Sequence, residues 1–377
     1  MGIIDRYVLR LYVKVLLICF TSLTGLFVVI DALNNLDDLL NLGKQHGSFM
    51  VVFCEYYGAR SLAFFDRTSG LMALVAATFA ATSMQRSNEM CAVMAAGIPK
   101  IRVVAPLLAG ATVVALLAAA SRELVIPRFR DGLTRDASSM LAGGVEDLTP
   151  RYDRLTDIRL AGKHIDRSER RIIEPAFRLP LHVPGYGVQL TAREAYYHDA
   201  RDGRPSGYLL SGVTQPAHLP KIDSLVIEGH PVILSPRDTP WLEPNQCFVV
   251  SKVRFEDLAA SRLWQTFSPT TELIARLRNP SLDFSADVRV AVHARLVQPM
   301  LDLTLLMLGL PVVLSRESRN VFSSAGLCVL IVAFFFLVVL ICHGLGNSYL
   351  FSPALAAWAP LLIFSPLAVF NSYSLWQ

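Results

Sequence analysis

The stretch Val103-Val-Ala-Pro-Leu-Leu-Ala-Gly-Ala-Thr-Val-Val-Ala-Leu-Leu-Ala-Ala-Ala-Ser121 contains no Asp, Glu, Lys or Arg. A helix needs roughly 20 apolar residues to cross a hydrocarbon core of about 30 Å with all its backbone groups bonded internally. This run therefore reads as a membrane span and sets the class of the whole chain. The composition agrees, since 53% of the 377 residues are hydrophobic and 18% charged, more apolar than a soluble chain of this length.

Working outward, Thr68 to Gln85 is equally free of charge and rich in Ala, and Val15 to Ile30 makes an earlier span that ends near Asp31. Leu296 to Leu314 makes a fourth, with one acid, Asp302. No Asp, Glu, Lys or Arg follows Arg319, and that long tail is interrupted at Gly344-Leu-Gly-Asn-Ser348 and at Pro353, so it predicts two more spans joined by a tight turn. The first span is read as retained, because no small-x-small cleavage pattern follows it.

The basic residues of the short connections decide orientation. Arg6, Arg10 and Lys14 precede span one; Arg86, Lys100 and Arg102 separate spans two and three; Arg316 and Arg319 separate four and five. All fall on one side, predicting both termini in the cytoplasm and the long middle segment outside. The expected divisions are 1–122, 123–286 and 287–377.

From about Val145 to Val253 the pattern changes to short alternating stretches bounded by Gly, Pro and Asp, as in a half-buried antiparallel sheet. Gln189 to Tyr197, Ser206 to Val213, Leu225 to Ile227, Val232 to Leu234 and Cys247 to Val250 are predicted strands of a sandwich or open jelly roll. A helix follows, capped at Ser268 with Pro269 first and an apolar stripe of Leu273, Ile274 and Leu277. The fold class is thus a polytopic α-helical membrane protein, six transmembrane helices in a 3+3 arrangement, with an inserted extracytoplasmic antiparallel β domain like a jelly roll.

Several chemistries are disfavoured. There is no Gly-x-x-x-x-Gly-Lys-Ser/Thr loop to cradle a phosphate and no His-Glu-x-x-His zinc pattern, so no catalytic residue, metal or cofactor is assigned. Six scattered cysteines make no disulfide framework, and a net charge of +4 without a dense basic tract argues against nucleic acid.

Three features remain. A helix from about Ser87 to Ala96 would place Met90, Val93, Met94 and Gly97 on one face, with Glu89 at its positive end. It is either an interfacial connector or a docking helix whose flexible Met side chains fill a partner's groove. Asp302 and the Asp66-Arg67 pair are the candidate intramembrane charges, where each would need a partner or water; Asp302 either lines a cavity or bonds a neighbouring helix, and Asp66-Arg67, near the outer end of span two, are otherwise interfacial. Arg128, Arg130 and Arg135, beyond span three, are placed either for anionic headgroups or on a solvated face.

Ile4-Asp5-Arg6-Tyr7 and Arg86-Ser-Asn-Glu89 through Ala95-Ala-Gly97 resemble the N-terminal motif and the coupling helix of the LptF/LptG (YjgP/YjgQ) permeases. Glu123 with Pro127, Arg295 with Pro299, and Trp358-x-Pro360 are similar to further positions of that family, in order along the chain. The resemblance implies a non-catalytic subunit of an ABC transporter in the bacterial inner membrane, paired with a second LptF/LptG-type permease. An LptB-type cytoplasmic ATPase would meet Arg86, Glu89, Met90, Met94 and Gly97. Lipopolysaccharide or a related glycolipid would enter between spans one and five and pass through the β domain to a periplasmic jelly-roll bridge protein. Where some LptG members carry a basic residue at the end of span one, this chain has Asp31, leaving Lys44, Arg67, Arg128 and Arg130 as the cations for a headgroup. Two readings of other classes compete: a scaffold displaying the β domain for protein binding, which has no use for a coupling helix, and a lipid-acting enzyme, which needs clustered acids or His where only Asp302 is found.

Overall fold

The structure, a computed structural model, describes residues 2–45, 48–134, 145–167, 169–180, 185–201, 204–227, 229–259, 264–282, 286–315 and 321–373. Six of its helices are long and apolar enough to cross a membrane: Ile3–Asn34, Phe49–Arg86, Lys100–Phe129, Ala286–Leu314, Gly326–Asn347 and Pro353–Ser372. They fall where the uncharged runs predicted them, three before and three after the sheet. The helices outrun the apolar stretches that nucleate them. At about 1.5 Å per residue, the 38 residues of Phe49–Arg86 reach roughly 57 Å, well past a hydrocarbon core of about 30 Å.

In chain order, α1 (Ile3–Asn34) is followed by the short α2 (Leu36–Gln45), α3 (Phe49–Arg86), α4 (Glu89–Ala95) and α5 (Lys100–Ala120). The acidic, Leu-rich segment after α1 folds into α2 because Leu39 and Leu42 are buried against Tyr56 and Tyr57 at the start of α3. Span three continues beyond α5 through a π-helical turn (Ser121–Val125), a 3-10 turn (Ile126–Phe129) and α6 (Arg130–Thr134). Pro127 explains the irregularity: it has no N–H for the carbonyl of Glu123 four residues back, and its ring crowds that carbonyl.

After the sheet come α7 (Phe255–Leu258), α8 (Trp264–Phe267), α9 (Thr270–Leu277), then α10 (Ala286–Ser315), α11 (Val321–Asn347) and α12 (Pro353–Ser372). The turn between α11 and α12 holds Tyr349 at φ +59°, and Ser352 caps α12 by accepting from the Leu355 amide at 3.3 Å. Helix α10 is the axis of the bundle, packing on α3, α5, α11 and α12, while α1 packs on α3 and α5. Small residues allow this closeness. Ala73, Ala76, Ala77, Ala80 and Ala81 of α3 are buried at helical spacing, the pattern by which helix backbones approach in lipid. The spans differ in how much the bundle covers them: 61% of the most apolar window of the fourth is buried, against 6% of the first.

Among the described residues, eleven antiparallel strands form one curled sheet, ordered β1-β4-β5-β7-β8-β11-β10-β9, with β2, β3 and β6 joined through β3 and β5. They are β1 (Val145–Asp147), β2 (Arg151–Asp153), β3 (Ile158–Leu160), β4 (Gly162–Asp166), β5 (Arg171–Arg178), β6 (Gln189–Thr191), β7 (Glu194–His198), β8 (Gly207–Ser211), β9 (Leu225–Ile227), β10 (His230–Leu234) and β11 (Gln246–Val250). Strand β5 makes the curl. Its first half pairs with β4 and β7, its second with β3 and β6, and between them stand Glu174 at φ +50° and Pro175. The predicted strand Gln189 to Tyr197 accordingly splits at Ala192-Arg193, one piece for each half of β5. Alternate residues Ile172, Phe177, Leu190, Tyr208, Leu210, Cys247 and Val249 fill the concave core. Burial pushes the Cys247 thiol up to about 12, and all six cysteines are free.

Candidate functional site

Functional side chains gather at the two ends of the helical bundle. At the end away from the sheet, α4 is bounded by defined caps. Asn88 adopts φ +57° before it, and Gly97 adopts φ +76° after it. The Gly97 amide donates to the Met94 carbonyl at 2.9 Å and the Ile98 amide to that of Val93 at 3.3 Å, the paired bonds of a Schellman stop. The helix is thus shorter than the predicted Ser87 to Ala96. Its inner face, Met90 and Val93, packs into the bundle core, while Cys91, Ala92, Met94, Ala95 and Ala96 are exposed. Of the five residues singled out for coupling, Arg86, Met94 and Gly97 are exposed and Glu89 is half-buried. Met90 is 4% exposed and faces inward, because α4 must bury one face on the bundle to lie there at all.

The structure joins two motifs far apart in sequence. The Tyr7 hydroxyl donates to Glu89 Oε1 at 3.1 Å. Arg102, in the first turn of α5, lies 3.6 Å from Asp5, and the Gly2 amide donates to Asp5 Oδ2 at 2.8 Å. Gln85 Nε2 donates to the Val313 carbonyl at 3.3 Å, tying the end of α3 to the end of α10. Lys14, Arg86 and Arg6 are exposed at this end, whereas Arg316 and Arg319 fall outside the described residues.

At the sheet end, the π-helical turn presents Arg122 and Glu123 in different directions. Arg122 clamps Asp66 of α3, its Nε donating to both carboxylate oxygens at 2.9 and 3.0 Å. Asp66 therefore does not pair with its neighbour Arg67, which is exposed: consecutive residues of a helix do not face each other. Glu123 caps α9, accepting from the Thr270 amide at 2.8 Å and its hydroxyl at 2.5 Å. The cap thus comes from another helix, where Ser268 was expected to supply it; Ser268 is instead buried, and its carbonyl accepts from Arg295. Arg295, near the start of α10, also donates to the carbonyls of Gln265 and Thr266 at 2.7 and 2.9 Å. A carboxylate at one helix start and a guanidinium at another helix end match the partial charges of their orphan amides and carbonyls. Arg130 pairs with Glu272 at 2.8 Å, and Arg276 bridges Glu272 and the buried Asp257. Burial raises the Asp257 carboxyl and the Arg276 charge pulls against that rise.

One helical layer deeper, Asp302 accepts from Gln298 Nε2 at 2.9 Å and occupies space that only Gly70 of α3 leaves open, since a Cβ at Gly70 would strike its carboxylate. Asp302 thus sits in a helix–helix contact. Asp31 at the end of α1 accepts from the Tyr57 hydroxyl at 2.9 Å, Lys44 is exposed on α2 and Arg128 on the turn after the third span. Of the headgroup candidates, Arg130 is ion-paired with Glu272, and Arg67, Lys44 and Arg128 are exposed; Arg135 falls outside the described residues. Pro127, four residues after Glu123, is the local signal for the irregular turn that carries Arg122, and the Ile4-Asp5-Arg6-Tyr7 motif marks Tyr7 without its partner; nothing near Gly70 in the chain marks its contact with Asp302. Between α7, α9 and the β7–β8 loop lies a cleft of about 630 Å³ with Tyr197, Lys252, Arg254 and Arg278 on its walls.

No curated protein matches the chain. A family model described as lipopolysaccharide export system permease LptF/LptG matches residues 6–143 and 250–374. More than half of the sequence is covered, including Tyr7, Glu89, Arg122, Glu123 and Arg295 and nearly all of the six long apolar helices: this chain belongs to the LptF/LptG family of lipopolysaccharide export permeases.

Proposed function

We propose that this multi-pass inner-membrane permease works in an ABC transporter, with the α4 end in the cytoplasm and the sheet in the periplasm. Arg6, Arg10 and Lys14 lie in the first half of α1, Arg86 ends α3, and Lys100 and Arg102 open α5, all toward the α4 end, which supports that orientation. An LptB-type ATPase docks on the exposed face of α4 through Met94 and Glu89. A second LptF/LptG-type permease covers the lateral surface left by spans one and five, whose windows are only 6% and 17% buried. Lipopolysaccharide or a related glycolipid enters between these surfaces, rises past the outer cations, and leaves along the curled sheet to a periplasmic jelly-roll bridge protein.

Energetics demand an external drive. Each methylene drawn from the bilayer costs about 0.8 kcal/mol, so a lipid with several acyl chains does not leave spontaneously. The observation that carries the reading is α4 itself, a helix stopped by a Schellman turn at Gly97 and seated on the bundle by Met90, presenting an adaptable Met and an acid at the basic end of the bundle. The experiment is co-purification of the ATPase with the chain and a second permease. Glu89→Ala is expected to abolish association while the protein still inserts. A failure of any ATPase to bind the unmodified chain would leave the display scaffold as the better account.

A further inference from the structure

The cleft between α7, α9 and the β7–β8 loop lies where the helical bundle meets the sheet. One wall is α9, whose first turn is capped by Glu123 from the turn after span three and whose Leu273 is buried against Val288 of α10. The facing wall carries Tyr197 of β7 and Ser206 just before β8. Its volume of about 630 Å³ falls within the range of pockets that take small molecules, about 300–1,000 Å³.

The charges on its walls do not cancel once their partners are counted. Arg276 bridges Asp257 and Glu272, Glu272 is shared with Arg130, and Glu256 pairs with Arg170. Three of the four wall carboxylates are thus answered. The side chains of Lys252, Arg254 and Arg278 make no hydrogen bond or ion pair among the described residues, and all three are exposed. Against these three cations stands the remaining wall carboxylate, Asp199.

The backbone gathers the three cations. Lys252 and Arg254 alternate with the buried Ser251 and Val253, so both side chains leave the chain on one side. Arg278 directly follows α9, and its neighbour Asn279 ties that helix end to the same stretch, Nδ2 donating to the Lys252 carbonyl at 2.9 Å. Like charges collected in this way repel, a cost the fold keeps without a carboxylate to offset it. Tyr197 adds a half-buried ring, and burial pushes its hydroxyl up to about 12, so it stays a neutral donor.

We propose that this cleft binds the phosphorylated saccharide head of the lipid cargo between the bundle and the sheet, with Lys252, Arg254 and Arg278 on phosphate and Tyr197 against a sugar ring. This rests on the lipid route proposed above. A phosphate monoester suits the cations better than an acidic peptide does. One such group carries nearly two charges and three acceptor oxygens, enough for the paired N–H groups of a guanidinium and a second cation at once, whereas each carboxylate answers about one. Walls so charged receive the head and not the acyl chains.

The test uses the full chain in detergent micelles, with deacylated lipopolysaccharide as the probe, which keeps the phosphorylated saccharide and lacks the chains. Binding is read by titration calorimetry. Arg254→Gln and Arg278→Gln are each expected to weaken it about tenfold, the loss of one charge-assisted pairing, and Arg254→Lys to fall between. Melting temperatures are expected to hold, because these side chains bond nothing else in the fold. Absence of binding to the unmodified chain, equal binding of the phosphatase-treated saccharide, or unchanged binding when Lys252, Arg254 and Arg278 are all replaced by Gln would overturn the proposal. So would displacement of the probe by equimolar inorganic phosphate or by phosphatidylglycerol, which would assign the cleft to free phosphate or to ordinary membrane headgroups. ATPase association is followed in parallel: if the unmodified chain binds no ATPase the transporter reading falls, and if it binds the ATPase but not the saccharide only the cleft assignment falls.

Discussion

The helical block and the β sheet of this molecule are specified in different ways. In the block, single positions are fixed by what they meet: Gly70 leaves room for a carboxylate, Gly110 for a phenol ring, and Arg122, Glu123 and Arg295 satisfy a buried acid and two helix ends. In the sheet, the core residues need mainly to be apolar, inward-facing and of about the right volume. The family model follows this difference, matching 6–143 and 250–374 and passing over the strands between. Buried polar contacts demand particular partners, whereas alternation admits many sequences.

The largest single dependence on a specific contact is at the Asp66–Arg122 clamp. Arg122→Ala leaves Asp66 uncompensated with a side chain only 12% exposed, and the expected loss is about 3–5 kcal/mol, read as a collapse in folded yield and melting temperature in detergent. The double variant Asp66→Asn with Arg122→Gln is expected to recover much of it. Gly70→Ala comes next, at about 1–3 kcal/mol, because the added methyl displaces Asp302 or spreads α3 from α10. Glu123→Ala removes the cap of α9 and is expected to cost about 1 kcal/mol and to speed amide exchange at residues 270–273. In the sheet, Ile172→Val at a fully buried site is expected to cost about 1 kcal/mol with no change in transport, which separates core volume from specific contact.

The smallest effect sharpens the comparison without disturbing either region. Cys91 is exposed on α4, Cys54 is exposed near the start of α3, and Cys247 is buried in the sheet. An impermeant maleimide is expected to label Cys54 from the periplasmic side, Cys91 only once the cytoplasmic side is opened, and Cys247 only on unfolding; the reverse sidedness of Cys54 and Cys91 would overturn the orientation. Burial raises the Cys247 thiol from 9.0 to about 12, so its neutral form favours the folded sheet below pH 9. Above that the unfolded chain gains by ionising, and the contribution is lost between pH 9 and about 12.

How much was legible follows from range. Runs such as Val103 to Ser121 are recognisable on their own, because the bilayer asks for length and apolarity and both are local. The strands β8 to β11 were legible from alternation bounded by turns. The split of Gln189 to Tyr197 was not, since it depends on β5 changing partners at Glu174-Pro175. Met90 and Met94 look alike in sequence, yet one is buried and the other 37% exposed, a choice made by where α4 lies on the bundle.

The class, the place of the spans, the basic end of the bundle and the intervening sheet are all written locally in the chain, because hydropathy, charge and alternation act over a few turns. That Asp66 answers Arg122 across 56 residues, that Glu123 caps a helix 147 residues away and that Tyr7 holds Glu89 emerges from the packed fold alone. Those pairings rest on distances between side chains that no local pattern encodes, and they form only once neighbouring backbones have been brought within a few ångströms.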